Sequence, residues 1–158
     1  MPARRMSSRV HAIAGSLAFA MILSFSVSSL IAEITGEPEV IRLVKAAIAW
    51  SLVALVPALA ATGVSGLSMS GRPPKGMLAV KFRRMKLVAA NGILVLVPSA
   101  LLLAWKAGQG EFDMVFAAVQ AVEFAAGFAN LVLITLNIRD GLRISGRLRP
   151  PARTAARA

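Results

Sequence analysis

The sequence predicts an all-α integral membrane protein: an antiparallel bundle of four transmembrane helices with both termini cytoplasmic. Four long apolar stretches carry this prediction, at about residues 10–32, 43–69, 87–105 and 114–138. Each is close to, or longer than, the roughly 20 apolar residues that cross the hydrocarbon core of a bilayer. The 57% hydrophobic content and the mean hydropathy of +0.72 agree, and the short connections leave no room for a soluble catalytic domain.

The distribution of charge predicts the orientation. Of the 18 basic residues, 15 precede the first stretch, lie between the second and third, or follow the fourth. The other two loops hold most of the acidic residues, and short loops rich in Lys and Arg stay on the cytoplasmic side. We therefore expect one transmembrane domain, residues 1–138, in an inner (cytoplasmic) membrane, and a basic cytoplasmic tail, residues 139–158. Because the net charge of +11 follows this pattern, it indicates contact with the lipid bilayer and needs no nucleic-acid partner.

The first two helices have clear boundaries. The first follows Arg9 and ends before Gly36 and Pro38, which break helices. The second starts near Lys45 at the outer surface and ends before the loop at residues 70–76, which is rich in Gly and Pro. Pro57 lies within this second stretch and should kink it.

The last two helices are delimited by charges and interfacial residues. The third follows the basic run of residues 81–86 and ends at Trp105, an aromatic residue typical of the membrane interface. Pro98 should kink this helix as Pro57 does the second. The fourth runs from Asp113 to about Asn137, where Gly141 is predicted to take a left-handed cap conformation. The cytoplasmic ends of these helices form a basic rim that can contact lipid head groups, comprising Arg83, Arg84, Lys86, Arg139 and Arg143.

The fourth helix carries a polar seam at the 3-4 spacing of one helix face. Its members are Gln120, Glu123, Gly127, Asn130, Ile134 and Asn137. This face must contact protein or water, because unsatisfied polar groups are costly in hydrocarbon. Asn91 of the third helix should lie level with Asn130 and Asn137, and the three could form a hydrogen-bonded cluster.

Glu123 is the one charged residue predicted near mid-membrane, about 15 Å along its helix at 1.5 Å per residue. The serines predicted at similar depth are Ser24, Ser26, Ser51 and Ser99. Because Lys45 and Lys106 are placed near the outer surface, Glu123 is expected to lack a cation and to be protonated. It then either binds a proton, a cation or the polar edge of a cofactor, or it joins helices as a hydrogen-bonding group.

His11 is the only histidine and shares one face of the first helix with Ser29. The cofactor is unknown, and none is required by the sequence. A haem is conceivable with a Met ligand or between two chains, whereas a surface position beside Arg9 is the simpler interpretation. No metal site is predicted, since the chain has no cysteine and no cluster of His, Asp and Glu.

No P-loop, G-x-S-x-G or H-E-x-x-H motif occurs, so no catalytic residue is assigned. The leading hypothesis is a non-enzymatic accessory or assembly subunit that joins a membrane-protein partner or forms a homo-oligomer. The alternative is a small proton- or cation-coupled transporter, or a haem- or lipophilic-cofactor-binding protein, centred on Glu123.

A third hypothesis is an enzyme acting on lipophilic substrates at the basic rim. Arg83, Arg84 and Lys86, followed by Asn91, form a short segment that resembles the membrane-associated eicosanoid and glutathione enzyme family. The resemblance implies a small four-helix membrane protein. The acidic partner residues of the family motif are not matched, and Gly92 and Pro98 occupy that stretch.

Overall fold

A computed structural model of the chain describes residues 2–70 and 76–146, with the backbone alone for residues 2–6, 8 and 67–70. The described residues form helices and turns, without a strand. The α-helices are α1 (Pro2–Thr35), α2 (Pro38–Ser70), α3 (Met77–Asn91), α4 (Val97–Gly108) and α5 (Met114–Ile144). A π-helical segment, Gly92–Leu96, joins α3 to α4 in one continuous span.

Four helical spans are long and apolar enough to cross a membrane, as the sequence predicts. They are Arg9–Thr35, Pro38–Gly66, Met77–Gly108 and Met114–Ile144. The first, third and fourth spans end beyond their predicted apolar stretches, because backbone hydrogen bonding continues past the last apolar residue. The predicted tail from residue 139 therefore begins inside α5, and residues 147–158 lie outside the described part of the chain.

The connections on one side of the bundle are short. Gly36 (φ 67°) turns the chain between α1 and α2, and Gly110 (φ 75°) turns it between α4 and α5. Pro38 opens α2, a position where its missing N–H costs nothing. Asp113 caps α5 by accepting a 2.9 Å hydrogen bond from the backbone N–H of Phe116.

The two prolines have different effects. The α-helix α2 continues through Pro57 without a break. Next to Pro98, the chain instead adopts the π-helical segment, and the N–H of Val97 reaches back to the carbonyl of Gly92. A proline ring would clash with the carbonyl four residues earlier in a regular α-helix, and the wider turn accommodates it.

Each helical span contacts two neighbours. α1 lies against α2 and α5, α2 also contacts α4, and α3 packs along α5. The first part of α1 lies beside the last part of α2, where His11 meets Thr62. The last part of α1 lies beside the first part of α2, where Ser29 meets Lys45.

Two apolar clusters form the interior. One lies near the turns at Gly36 and Gly110 and comprises Ala32, Ile41, Leu103, Ala107 and Phe116. The other lies farther along α1 and α2 and comprises Ala18, Ile22, Leu55 and Ala58. By contrast, most buried residues of α5 are polar, and the candidate site lies on this helix.

Candidate intramembrane ion site

An ion pair joins α2 to α5 inside the bundle. Lys45 Nζ lies 2.8 Å from Glu123 Oε2, and the lysine side chain is fully buried while that of Glu123 is 13% exposed. Lys45 also donates a hydrogen bond to Ser29 Oγ on α1, and Gln120 Nε2 donates to Glu123 Oε2 at 3.2 Å. Three helices therefore meet at the ammonium of Lys45, and we call Lys45, Glu123, Ser29 and Gln120 the ion-pair site.

The expectation that Glu123 lacks a cation is wrong. Because α2 begins at Pro38, Lys45 lies about 10 Å along the helix at 1.5 Å per residue. Its flexible side chain extends into the bundle and not toward the surface. Inside the bundle, the carboxylate of Glu123 neutralises its charge. A buried charge without a partner would be far costlier than this pair.

A second carboxylate, which is not among the site residues predicted from the sequence, lies near the pair. Glu33 is one turn beyond Ser29 on α1, and it interacts electrostatically with both Lys45 and Glu123 without a direct ion pair. Glu33 Oε1 is buried and has no hydrogen-bond partner among the described residues. Gln120 Oε1, one turn before Glu123 on α5, is also buried without one. The site therefore has two acceptor atoms that the described chain leaves unsatisfied.

A cleft opens beside the ion-pair site, lined mainly by apolar side chains of all four spans. Its polar lining comes from Glu123, Ser26 and Ser29. Gly127 lines the cleft, and an added Cβ there would lie in van der Waals contact with Ser26 Oγ, at 3.6 Å. A ligand in this cleft would meet one carboxylate and two hydroxyl groups in otherwise apolar surroundings.

The serines predicted to lie near Glu123 occupy different helix faces. Ser26 lines the cleft, whereas Ser24 lies on the exposed side of α1, so its predicted place beside Glu123 is wrong. Two residues correspond to a rotation of about 200° in an α-helix, which puts these serines on opposite faces. Ser51 donates to the carbonyl of Ala47 in its own helix. Ser99 is buried in α4 and takes no part in the described hydrogen bonds of Glu123.

Farther along α5, an amide pair joins it to α3. Asn91 Nδ2 donates to Asn130 Oδ1 and to the carbonyl of Ala126, both at 2.9 Å. Asn130 Nδ2 in turn lies 3.4 Å from the carbonyl of Val88. Asn137 does not join them, contrary to the predicted cluster of three, because it lies two turns beyond Asn130 on α5.

A second buried ion pair joins α3 to the last part of α5. Arg84 Nη1 lies 2.6 Å from Asp140 Oδ2, and Asp140 is almost fully buried. Gly141 follows within the continuing helix, so its predicted role as a left-handed cap is wrong; Ser145 caps α5, and Gly146 takes the positive φ of 73°.

The rest of the basic rim is exposed. Arg139 Nε lies 3.6 Å from Asp140 Oδ1, while Arg83, Lys86 and Arg143 have exposed side chains. The sequence predicts Arg84 as part of this rim but does not predict its carboxylate partner. Arg84 and Asp140 have opposite charges and predicted positions at the same membrane level, on helices expected to be neighbours. These two features of the sequence could have indicated the ion pair.

A third charged group lies at the other end of the bundle. Lys106 Nζ lies 2.7 Å from Glu111 Oε2 and 3.0 Å from Asp113 Oδ2. The backbone N–H of Phe116 and the ammonium of Lys106 both hold the pKa of Asp113 below its usual value. This group fixes the turn that leads into α5.

His11 lies between α1 and α2 and not at a free surface. Its Nδ1 is 3.0 Å from the carbonyl oxygen of Thr62, so this nitrogen donates, and Ser65 Oγ is 3.4 Å away. A Cβ at Gly66 would lie 3.3 Å from the ring, which shows how closely the helices approach. The role of His11 as a haem ligand stays a prediction. Within residues 2–70 and 76–146, no three His, Asp or Glu side chains group so as to hold a metal ion.

No protein-family model, curated protein or solved structure matches this chain.

Proposed function

We propose that this small multi-pass membrane protein moves protons or monovalent cations, which bind at the ion-pair site. One observation carries the proposal: Lys45 pairs with Glu123 inside the bundle, and the half-buried carboxylate of Glu33 is close enough to interact electrostatically with both. Two carboxylates and one ammonium leave a negative charge in a region of low dielectric constant. A proton or a small cation neutralises it, because isolated charges are very costly there.

The unsatisfied acceptors support this proposal. Glu33 Oε1 and Gln120 Oε1 belong to residues that interact with the ion pair, and each oxygen is buried without a donor among the described residues. A hydronium ion or a hydrated cation supplies the donors or the positive charge that these oxygens lack. The adjoining cleft provides room beside Glu123 for such a species.

Polar groups on α5 continue away from the ion pair toward Asp140. Asn130 and Asn137 lie at successive levels, and Asn91 approaches from α3. Polar side chains inside a membrane bundle commonly mark the route of an ion or a proton. We propose that the transported species passes from Glu33 to Glu123 and then along this face of α5.

The orientation is part of the same proposal. The contacts of His11 with Thr62, of Lys45 with Ser29 and of Arg84 with Asp140 fit an antiparallel order of successive spans. The basic segments then lie together at one end, and we assign that end and both termini to the cytoplasm by the positive-inside rule. The arginine- and alanine-rich composition favours the inner membrane of a bacterium.

The experiment is a flux measurement in proteoliposomes that contain the full-length protein and a trapped pH-sensitive dye. A potassium diffusion potential drives protons, and a sodium gradient with a sodium-sensitive dye tests cations. We expect Glu123→Gln and Glu33→Gln to reduce the flux to the level of protein-free vesicles. Glu37→Gln is the matched control, because Glu37 is an exposed glutamate in the turn between α1 and α2. Wild-type flux in both site variants, or no flux in the wild type, would contradict transport.

An accessory or assembly role is the second candidate. The observation in its favour is that polar side chains pair between helices, as Lys45–Glu123 and Asn91–Asn130 do. Such pairs hold membrane helices together, and a purely structural subunit needs them as well. Isolation in mild detergent distinguishes the two: a second protein or a further copy in stoichiometric amount, together with absent flux, supports the accessory role. An absorption band in the visible region, lost in His11→Ala, would instead indicate a bound haem.

A further inference from the structure

The end of the bundle that contains Arg84 has more cations than its one buried carboxylate can neutralise. Asp140 accepts Arg84 at 2.6 Å and lies 3.6 Å from Arg139. Lys81 and Arg143 also act electrostatically on the same carboxylate. These five residues, the Asp140 cluster, therefore hold an excess of positive charge between α3 and α5.

Lys81 is directed into this cluster and not straight into water. Its side chain is half-buried, and its Nζ lies over Gly141, where an added Cβ would be only 3.0 Å away. The glycine therefore allows the ammonium to lie against the backbone of α5. A half-buried ammonium is stabilised by an anion that accepts its hydrogen bonds.

Asn137 supplies an independent observation. It lies one turn before Asp140 on the same face of α5 and is 4% exposed. Neither its Nδ2 nor its Oδ1 has a hydrogen-bond partner among the described residues. Because buried amides in proteins are almost always satisfied, this side chain indicates a polar group from outside the chain.

The level of the cluster identifies that group. Arg84 lies just before the apolar stretch that begins at residue 87, where the phosphate groups of a bilayer lie. Basic pockets between transmembrane helices bind anionic lipid head groups. We propose that the Asp140 cluster binds the phosphate of an anionic phospholipid, with Lys81 and Arg139 as its charged contacts and Asn137 as a neutral hydrogen-bonding group. This site is separate from the ion-pair site, and it stands whether or not the protein transports ions.

The test is a titration of the full-length protein in mild detergent with short-chain phosphatidylglycerol, followed by native mass spectrometry. Phosphatidylcholine is the neutral comparison lipid. We expect Lys81→Gln to weaken phosphatidylglycerol binding about fivefold, from about 1 kcal/mol per basic residue. Arg9→Gln is the control, because it removes one positive charge from an exposed position of α1 outside the basic rim. It should leave the affinity unchanged.

Asn137→Leu is a second variant that does not depend on charge. Leucine is similar in volume and removes the unsatisfied amide, so the variant should fold as stably as the wild type in phosphatidylcholine while its affinity for phosphatidylglycerol falls. Equal losses in Lys81→Gln and Arg9→Gln would overturn the proposal, because they would indicate diffuse charge attraction. Inorganic phosphate that displaces phosphatidylglycerol at matched ionic strength would also overturn it, because the site would then take free phosphate.

Discussion

Lys45 and Glu123 meet at 2.8 Å although 78 residues separate them in the chain, and the ammonium of the pair is entirely shielded from the surface. The pair lies between two apolar clusters, one near Phe116 and the other near Ile22. Removal of either charge therefore leaves the other in a medium that hydrates it poorly.

Lys45→Met should lower the free energy of unfolding by about 3–5 kcal/mol, because it leaves the Glu123 carboxylate buried without its cation. The double variant Lys45→Met/Glu123→Leu should recover most of this loss, since it removes both charges. Unfolding in mixed micelles, analysed as a double-mutant cycle, measures the coupling. Arg42→Met is the control, because its partner Glu39 is exposed, and it should change the stability little. Additive effects of the two single substitutions would contradict the ion pair.

Asn91→Leu should destabilise the contact between α3 and α5 by about 1 kcal/mol, within the range measured for hydrogen bonds between membrane helices. The variant removes both hydrogen bonds of Asn91 Nδ2, to Asn130 and to the carbonyl of Ala126. Asn130→Leu should act on the same bond, so the double variant should lose less than the sum of the single losses. Thr135→Val is a control for a hydroxyl that bonds within its own helix. The measurement is the unfolding transition in micelles.

Acidification should weaken the turn before α5. The pKa of Asp113 is lowered in the folded protein, so the folded state takes up this proton less readily than the unfolded state. The stabilisation is complete above the ordinary aspartate pKa of about 4 and is lost as the pH falls through the lowered value. Thermal unfolding as a function of pH should show this loss in the wild type. Asp113→Asn keeps an acceptor for the N–H of Phe116 but should lack this part of the pH dependence. An identical pH profile in the variant would contradict the assignment.

Single cysteines can test the proposed orientation without background, because the chain has none of its own. Cysteine at Glu37 or Gln109 should react with a membrane-impermeant maleimide in intact cells. Cysteine at Ser145 should react only after the membrane is permeabilised, since α5 is proposed to end in the cytoplasm. The reverse pattern would contradict the proposed orientation and with it the direction of the proposed path.

The sequence predicted the four spans correctly because apolar length is a direct consequence of bilayer thickness. It also placed Asn91 and Asn130 at one level, where they do bond. The ends of the helices were less predictable. Apolar content indicates which residues lie in the hydrocarbon core, whereas a helix ends where backbone hydrogen bonding stops. α5 therefore continues past Gly141 to Ile144.

The site itself was only partly predictable. Ser24 and Ser26 are predicted as neighbours of Glu123 from their depth in the membrane alone. Which serine faces the bundle depends instead on its rotational position around the helix. The serine that bonds Lys45 is Ser29. Lys45 was assigned to the outer surface because its position lies near the edge of an apolar stretch. The direction of a long, flexible side chain depends on the hydrogen-bonding and charged groups of the neighbouring helices. Here the carboxylate of Glu123 on α5 attracts the ammonium of Lys45.

The π-helical segment at Gly92–Leu96 gives the third span two rotational phases. Before it, α3 presents Arg84 and Asn91 to α5; after it, α4 presents its buried face to α2 and α5. One span thereby satisfies two differently placed neighbours, which a uniform α-helix could not do with the same residues. Deletion of a single residue within the segment should rotate α3 by about 100° relative to α4. Arg84 and Asn91 would then turn away from α5 together, although neither residue had been changed.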